Sequence, residues 1–264
     1  MIGVAVAVVL LCAGSVAAVG ALAGWWTTHQ VNATRTSTLT FVVPDHPHVV
    51  VHDTAGNVTI VAGSARQIMV DITKRATDTS SQLAQHALDA ISVTTHATAD
   101  GLVIDATTSA DHPLTRQSVD LRIAMPATSD VQLDMTAGTA HLSGITGHLA
   151  ATMTAGNLNL RDMVLDGASR VSLNAGNADL RVALQPDATL DLQVHTGNAL
   201  LALPQESPTL LTARTAVGNL TINGWPATIH RAGAGASTEV YCKLAPQNHV
   251  HVTVDTGNVV VSAY

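Results

Sequence analysis

A short glycine-centred motif recurs along most of the chain and limits its fold more than any other feature. Its seven copies are centred on Gly56, Gly138, Gly156, Gly176, Gly197, Gly218 and Gly257. Asparagine follows the glycine in every copy except that at Gly138, and the residues two and four positions after each glycine are apolar. From Gly138 to Gly218 the steps are 18, 20, 21 and 21 residues. A period of about twenty residues is typical of units that stack into a solenoid.

Each unit is predicted to contain two strands that meet at the glycine. In the copy at Gly176, apolar residues alternate with polar ones from Val171 to Leu173 and again from Ala178 to Val182. This alternation indicates strands with one buried face. Glycine reaches positive φ without a Cβ clash, and asparagine also tolerates it, so the pair predicts a bend. The sequence therefore predicts an all-β fold, a β-solenoid of roughly 20-residue repeats.

Stacked units would align the asparagines that follow the glycines. Asn157, Asn177, Asn198 and Asn219 are then expected to lie above one another, where side-chain amides can form a hydrogen-bonded ladder. This structural role explains both the glycine and the asparagine, and we favour it over ligand binding.

Composition argues against a nucleic-acid partner and weakens a sugar-binding interpretation. The net charge is −7 with only 12 Lys and Arg residues, and no basic cluster is present, so nucleic acid is not an expected partner. Aromatic residues make up 2% of the chain, which also weakens a sugar-binding interpretation that needs exposed rings.

The N-terminal segment has a different character from the rest. Residues 2–26 carry no charge, are almost all apolar or small, and end in Trp25 and Trp26. This length suffices to cross a bilayer, and tryptophan favours the membrane interface, so residues 1–26 are predicted to be a transmembrane anchor. A cleaved signal segment is the alternative, because Ala21-Leu22-Ala23 has the small-x-small form of a cleavage site. The expected location is the cell membrane, single-pass, with the β domain extracytoplasmic.

The rest divides into a polar stalk at residues 27–38 and a β-solenoid domain at residues 39–264. One amphipathic helix is expected between Thr79 and Ala90, and a hairpin turn at Thr98–Gly101. The helix should bury one face, formed by Leu83, Ala84, Ala87, Leu88 and Ile91. Residues 231–237 are predicted to be a flexible loop, and the last strand, Val259–Ala263, an edge in need of a partner. Cys12 and Cys242 are not expected to pair, and Cys242 is interpreted as a buried thiol.

The chain resembles the bacterial putative adhesin family, a domain of unknown function found in membrane-anchored envelope proteins. The likeness covers residues 39 to 264 and is strongest in the strand Val119–Pro126, which ends in proline as in the family. It continues through Val131–Gly138, Leu142–Leu149 and Met153–Leu160. The usual Ser-Gly-Asp turn of the family is replaced here by Thr-Ala-Gly-Asn. The resemblance implies a β-rich, solenoid-like extracytoplasmic domain.

The chain contains 13 histidines, and a few of them are the most suggestive candidates for metal binding. His249 and His251 share one face of a strand, and His46 and His48 lie near His52. Imidazoles two residues apart on a strand can share a metal ion, but two ligands do not complete a site. We therefore interpret His249 and His251 as the solvent side of a strand whose valines face the core.

The sequence contains no recognisable nucleophile elbow, dinucleotide loop or calcium-binding repeat. No catalytic residue, cofactor or metal site is predicted. The favoured function is a non-enzymatic, membrane-anchored envelope protein with a structural or interaction role in adhesion or envelope-stress sensing, whose partner is another envelope protein or a surface. The alternative is a ligand- or glycan-binding module that uses the solenoid face or the 231–237 segment.

Overall fold

The computed structural model describes residues 7–9, 30–109, 115–225, 229–232, 234–241 and 247–264. In the described part of the chain there are 18 strands and one helix. In chain order they are β1 (Ala7–Val9), β2 (Val31–Val42), β3 (His48–Ala62), β4 (Gln67–Asp78), α1 (Ser81–Ala90), β5 (Ser92–Ala97), β6 (Gly101–Thr107), β7 (Arg116–Met125), β8 (Asp130–Ser143), β9 (Thr146–Gly147), β10 (Leu149–Leu165), β11 (Ala168–Leu184), β12 (Thr189–Leu203), β13 (Thr209–Val217), β14 (Leu220–Asn223), β15 (His230–Ala232), β16 (Gly235–Tyr241), β17 (Asn248–Thr256) and β18 (Val259–Ala263).

The repeat units stack as parallel rungs. β3, β8, β10, β11 and β12 pair in that order, and from β8 onward each rung follows the previous one in the sequence by about one repeat. The register places glycine beside glycine, with Gly138 next to Gly156, Gly156 next to Gly176, and Gly176 next to Gly197. This arrangement confirms the predicted all-β, solenoid-like fold.

Each rung bends around a shared core at its glycine. In β11, Val171 and Leu173 are buried before the glycine, and Ala178 and Leu180 are buried after it. The inward positions are odd-numbered before Gly176 and even-numbered after it, so the strand changes parity as it turns the corner. Both halves bury their inward side chains in one hydrophobic cluster that runs through the stack.

The corner is made by glycine alone. Gly176 has φ of +143°, yet β11 continues through it without a break. Among the described residues, only Arg66, Asp162 and Asp187 combine positive φ with a side chain. The prediction that asparagine would share the positive-φ bend is therefore wrong. Asparagine follows the glycine for the hydrogen bonds of its side chain.

The order of the last rungs differs from their order in the sequence. β17 and β18 pair in parallel with β12 on one side, and with β13 and β14 on the other. The prediction that Val259–Ala263 is an edge strand is therefore wrong, because both of its neighbours are in place. The predicted loop at 231–237 is also wrong, since β15 and β16 pair as an antiparallel hairpin whose second strand lies along β13.

The N-terminal end of the stack is closed by antiparallel strands and the helix. β7 pairs with β3 and β4, and β2 pairs with β4 from Val31 to Val42. The stalk predicted at 27–38 is therefore wrong from Val31 onward. Strand pairing uses only backbone groups, so the Thr- and Ser-rich side chains of residues 31–38 did not indicate that this segment is part of β2.

The helix α1 lies against β2 and β4, as the amphipathic pattern predicts. Its N-cap is Ser80, whose hydroxyl accepts from the backbone N–H of Leu83 at 3.2 Å. Ala84, Ala87 and Leu88 are buried, whereas Leu83 is 48% exposed and does not belong to the buried face. The predicted turn at Thr98–Gly101 is confirmed, because it joins β5 and β6 as an antiparallel pair.

Most of the predicted anchor at residues 1–26 lies outside the described residues, as do Cys12 and Cys242. Within that segment, Ala7–Val9 form β1, which pairs antiparallel with Thr38–Thr40 of β2. Among the described residues, no helix has both the length and the apolar character needed to cross a membrane. The membrane anchor therefore stays a prediction.

Candidate functional site

The glycines of neighbouring rungs form a column at the corner of the solenoid. Gly138, Gly156, Gly176 and Gly197 have φ between 139° and 143°, a region that residues with a side chain rarely adopt. A Cβ built on Gly176 would overlap the carbonyl oxygen of Gly156, and the same overlap recurs along the column. Glycine is therefore required both by backbone conformation and by the close approach of the next rung.

Asparagine side chains form a hydrogen-bonded ladder beside this column. The Nδ2 atom of Asn177 donates to Oδ1 of Asn157 at 3.0 Å, and that of Asn198 donates to Asn177 at 2.9 Å. Asn258 donates to Asn198 at 3.0 Å, and Asn219 donates to Asn258 at 3.3 Å. The predicted ladder is confirmed, with Asn258 inserted between Asn198 and Asn219.

The ladder is interrupted at Thr139. In the strand register Thr139 lies between Asn57 and Asn157, at the position that asparagine occupies in the other copies. Asn57 donates from Nδ2 to Oδ1 of Asp120 at 2.9 Å instead. The corner column therefore holds five linked amides, one threonine, and then an amide bound to a carboxylate.

A groove of about 440 Å³ follows the ladder on its outer side. Its lining comes from four successive rungs and consists of Thr139, Asn157, Asn159, Asn177, Ala178, Asp179, Asn198 and Leu200. The one carboxylate in this lining, on Asp179, accepts two hydrogen bonds from the Arg161 guanidinium, and this hydrogen bonding raises the pKa of Arg161. Leu200 is 46% exposed. The groove thus offers amides, a hydroxyl and an apolar contact with little net charge.

A second concavity, of about 300 Å³, lies near the N-terminal end of the stack. His52 lies there between two carboxylates, with Nδ1 at 3.2 Å from Asp134 and Nε2 at 4.0 Å from Asp105. Thr54, Thr107, Thr136, Thr152 and Thr154 supply hydroxyls to the same lining. His46, predicted to lie near His52, lies 3.9 Å from Asp130. Among the described residues, no group of three or more His, Cys, Asp or Glu side chains is arranged to hold a metal ion.

Asp53, which the sequence analysis missed, is a buried acid at a core position of the same rung. It lies three residues before the corner glycine, where neighbouring rungs place Met135, Met153 and Leu173. Its side chain is 3% exposed; Oδ1 accepts from the backbone N–H of Ala55 at 3.2 Å, and Oδ2 has no hydrogen-bond partner. Burial raises the pKa of Asp53 to about 7. The signal was present in the sequence, because Asp53 is the one ionisable residue among the seven positions that lie three residues before a corner glycine.

The remaining candidate histidines lie on the outer surface of the solenoid. His249 and His251 are exposed, and the intervening Val250 is buried with Val252. The Nε2 atom of His251 lies 3.0 Å from Oγ1 of Thr253 on the same strand. This confirms the solvent-side interpretation of these imidazoles. The sequence analysis missed the exposed pair formed by His195 and Asp255, whose Nδ1 and Oδ2 atoms are 2.7 Å apart.

The stacked rungs, the glycine column and the amide ladder define a parallel β-solenoid. The profile of the Toastrack DUF4097 family matches residues 29–262, and the chain belongs to that family. The match includes the strand Val119–Pro126, where the sequence resembles the putative adhesin family.

Several solved structures are similar to the chain. A putative cell adhesion protein from Clostridium sporogenes has 11% identity, with 87% of this chain and 100% of that chain covered and a TM-score of 0.49. A putative adhesin from Bacteroides fragilis has 10% identity, with 87% and 97% covered and a TM-score of 0.42. A putative lipid binding protein from Parabacteroides distasonis has 9% identity, with 87% and 97% covered and a TM-score of 0.23. No curated protein matches the sequence.

Proposed function

We propose that this protein is a non-enzymatic interaction module of the cell envelope, anchored in the membrane by residues 1–26 and presenting its solenoid outside the cytoplasm. The observation that carries the proposal is the corner column, in which the glycines of seven rungs, six of them followed by asparagine, are held in register. At a strand separation of about 4.8 Å, seven rungs give a continuous edge of roughly 30 Å. Such an edge is a stiff, repetitive surface suited to contact with another envelope component.

The outward polar side chains support this role because many of them link one rung to the next. Arg170 donates to Asp191 at 3.0 Å across β11 and β12, and Arg161 pairs with Asp179 across β10 and β11. Side chains committed to such links stabilise the surface itself.

The membrane location is tested by fractionating cells that express the full chain and a variant lacking residues 1–26. We expect the full chain to remain in the membrane after alkaline extraction and the shortened chain to be released.

Orientation is tested with Gln185→Cys, an exposed position in the turn between two rungs, in a chain whose Cys12 and Cys242 are replaced by serine. Labelling of intact cells by a membrane-impermeant maleimide is expected. Release of the full chain, or labelling only after lysis, would overturn this proposal.

A second candidate function is the binding of a ligand or glycan by the solenoid face. The observation that favours it is the groove along the ladder, where Asn157, Asn177 and Asn198 present amides in register beside the exposed Leu200. Concave sites with a few placed polar groups are the usual form of ligand sites. The 231–237 segment has less support, since its two strands pair with each other and with β13.

A further inference from the structure

The amide ladder ends in an unused donor where it meets the groove. From Asn219 to Asn177 each amide donates to the next one in the stack, so the chain of donors terminates at Asn157. The Nδ2 atom of Asn157 donates to no described residue. The neighbouring rung offers the hydroxyl of Thr139 in place of an amide. Because hydrogen bonds in a chain polarise one another, the terminal amide is a strengthened donor.

We propose that the groove binds a β-linked chain of N-acetylated hexosamines, with one acetamido group lying over Thr139. The acetamido carbonyl accepts from Nδ2 of Asn157, and the acetamido N–H donates to the Thr139 hydroxyl. A secondary amide carries one donor and one acceptor, so it continues the ladder at the rung where the protein supplies none. This inference rests on the second candidate function and gives it a substrate class.

The dimensions of the groove suit an extended saccharide. Its lining spans four rungs, from Thr139 to Leu200, which is roughly 14 Å at a strand separation of about 4.8 Å. The length of one pyranose unit is close to that separation, so successive units meet successive rungs. The free N–H groups and carbonyl lone pairs of Asn177 and Asn198 then face the hydroxyls of neighbouring units.

The charge and apolar contacts favour a neutral chain over an ionic one. The chain has a net charge of −7, which repels polyanions, and the Asp179 carboxylate is already paired with Arg161. With no aromatic ring in this lining, the exposed Leu200 provides the apolar surface for the C–H face of a sugar. This contact is smaller than a ring would give, so binding by one short chain is expected to be weak.

The test measures the affinity of the purified full-length chain for three pentasaccharides with the same β-1,4-linked backbone. Chitopentaose carries an acetamido group at C2, its fully de-N-acetylated form carries an ammonium group, and cellopentaose carries a hydroxyl. We expect the acetylated form to bind at least about tenfold more tightly than cellopentaose, the difference that two hydrogen bonds give. Tighter binding of the ammonium form would indicate recognition of cations and overturn the proposal, as would equal binding of all three or binding of none.

The decisive variant is Thr139→Asn, which supplies the missing amide from the protein. We expect it to bind chitopentaose about fivefold more weakly or worse, while its melting temperature stays unchanged or rises because the ladder becomes continuous. Asn157→Ala removes the donor and is expected to weaken binding in the same way. It serves as the second variant if Thr139→Asn does not fold.

The matched control is Asn219→Ala, which removes a ladder amide that does not line the groove. It should lower the melting temperature and reduce the affinity much less than the two groove variants, because the Asn177–Asn157 hydrogen bond next to the groove stays in place. Undiminished binding by both Thr139→Asn and Asn157→Ala, or equal losses in the control, would overturn the proposal. These measurements use purified protein, so their failure leaves the proposed membrane anchoring and interaction role untouched, and failure of the fractionation test leaves the affinities interpretable.

Discussion

The central rungs β10 to β12 and the first rung β3 share one corner motif but differ in what surrounds it. Thr-Ala-Gly-Asn stands at the corner of both β3 and β10, and both glycines have positive φ. β10 pairs with β11 on one side, and on the other it pairs with β8 through the corner and with the short β9 only near its end. β3 pairs on its outer side with β6 before the corner and with β7 after it. The motif therefore specifies the bend of a rung, while its neighbours decide whether the stack continues or ends.

The interior differs in the same way. The central rungs place Met153, Leu173 and Val194 three residues before the glycine, whereas β3 places Asp53 there. A buried acid at this position lowers the stability of the first rung. Asp53 borders the polar concavity that His52, Asp105 and Asp134 line. A uniform hydrophobic column is thus a property of the middle of the solenoid and not of the repeat itself.

The largest expected effect comes from breaking the bend in a central rung. Gly176→Ala places a Cβ against the carbonyl of Gly156 at positive φ, and we expect it to lower the free energy of unfolding by about 4 kcal/mol or more. Urea unfolding followed by circular dichroism measures the loss. The matched control is Gly167→Ala, since Gly167 also has positive φ but open space around it, and its cost should be about 1–2 kcal/mol. Equal costs would show that conformation, and not close approach, selects glycine at the corner.

The next largest effect is the pH dependence of stability that comes from Asp53, the buried acid of the first rung. Asp53 titrates near 3.8 when unfolded and near 7 when folded, so the folded state binds the additional proton between these values. Its contribution to stability is complete below about pH 4 and is lost as pH rises through 7, by up to about 4 kcal/mol. Asp53→Asn should remove this slope. Urea titrations of both proteins at pH 4.5, 6 and 8 measure it, and identical slopes would contradict the assignment.

Other titratable groups near Asp53 also contribute to the pH dependence of stability, and their contribution must cancel when Asp53→Asn is compared with the parent. His52 on the same strand, Asp105 on β6 and Asp134 on β8 face the adjoining concavity. They are present in both proteins, so the difference between Asp53→Asn and the parent isolates the buried carboxyl.

A smaller effect is expected from one link of the ladder. Asn177→Ala removes two side-chain hydrogen bonds, one donated to Asn157 and one accepted from Asn198. At this exposed edge we expect a loss of about 1–2 kcal/mol, measured as a lower urea midpoint. Asn159→Ala, in the next outward position of the same groove, is the control and should change stability by less than about 0.5 kcal/mol. An equal loss of stability in Asn159→Ala would mean that the ladder hydrogen bonds of Asn177 stabilise the fold no more than an ordinary surface side chain does.

The smallest effect is expected at the ion pairs between rungs. Arg161→Gln removes the guanidinium that pairs with Asp179 on the outer face of the central rungs. Since both side chains are partly exposed, at 46% and 36%, the cost should be at most about 1 kcal/mol and should shrink in high salt. Thermal unfolding of parent and variant in low and high salt checks this. A cost that does not depend on salt would point to packing of the arginine stem instead.

The sequence predicted the features that depend on local chemistry. The period near twenty residues and the fixed apolar register led to the stacked rungs, and the asparagine after Gly156, Gly176 and Gly197 led to the ladder. These features follow from backbone geometry and alternation, which act within a few residues. The groove follows from the same columns, although its interruption at Thr139 becomes meaningful only when the neighbouring amides are known.

The errors arose where pairing partners are distant in the sequence. Nothing in Val259–Ala263 distinguishes an edge strand from one enclosed between β12 and β14. The threonines and serines of β2 concealed a strand whose pairing uses only backbone groups. Asp53 was overlooked because its place in the core column is recognisable only by aligning it with Met153 and Leu173.

The insertion of β17 and β18 between β12 and β13–β14 has a consequence for how the solenoid is completed. β17 and β18 follow β13 and β14 in the sequence but lie between them and β12, so these rungs cannot be added to the stack in the order in which the chain emerges from the ribosome. A truncation before Asn248 would not shorten the molecule at its end. It would remove a middle layer and leave β13 and β14 without the surface that holds them to the rest.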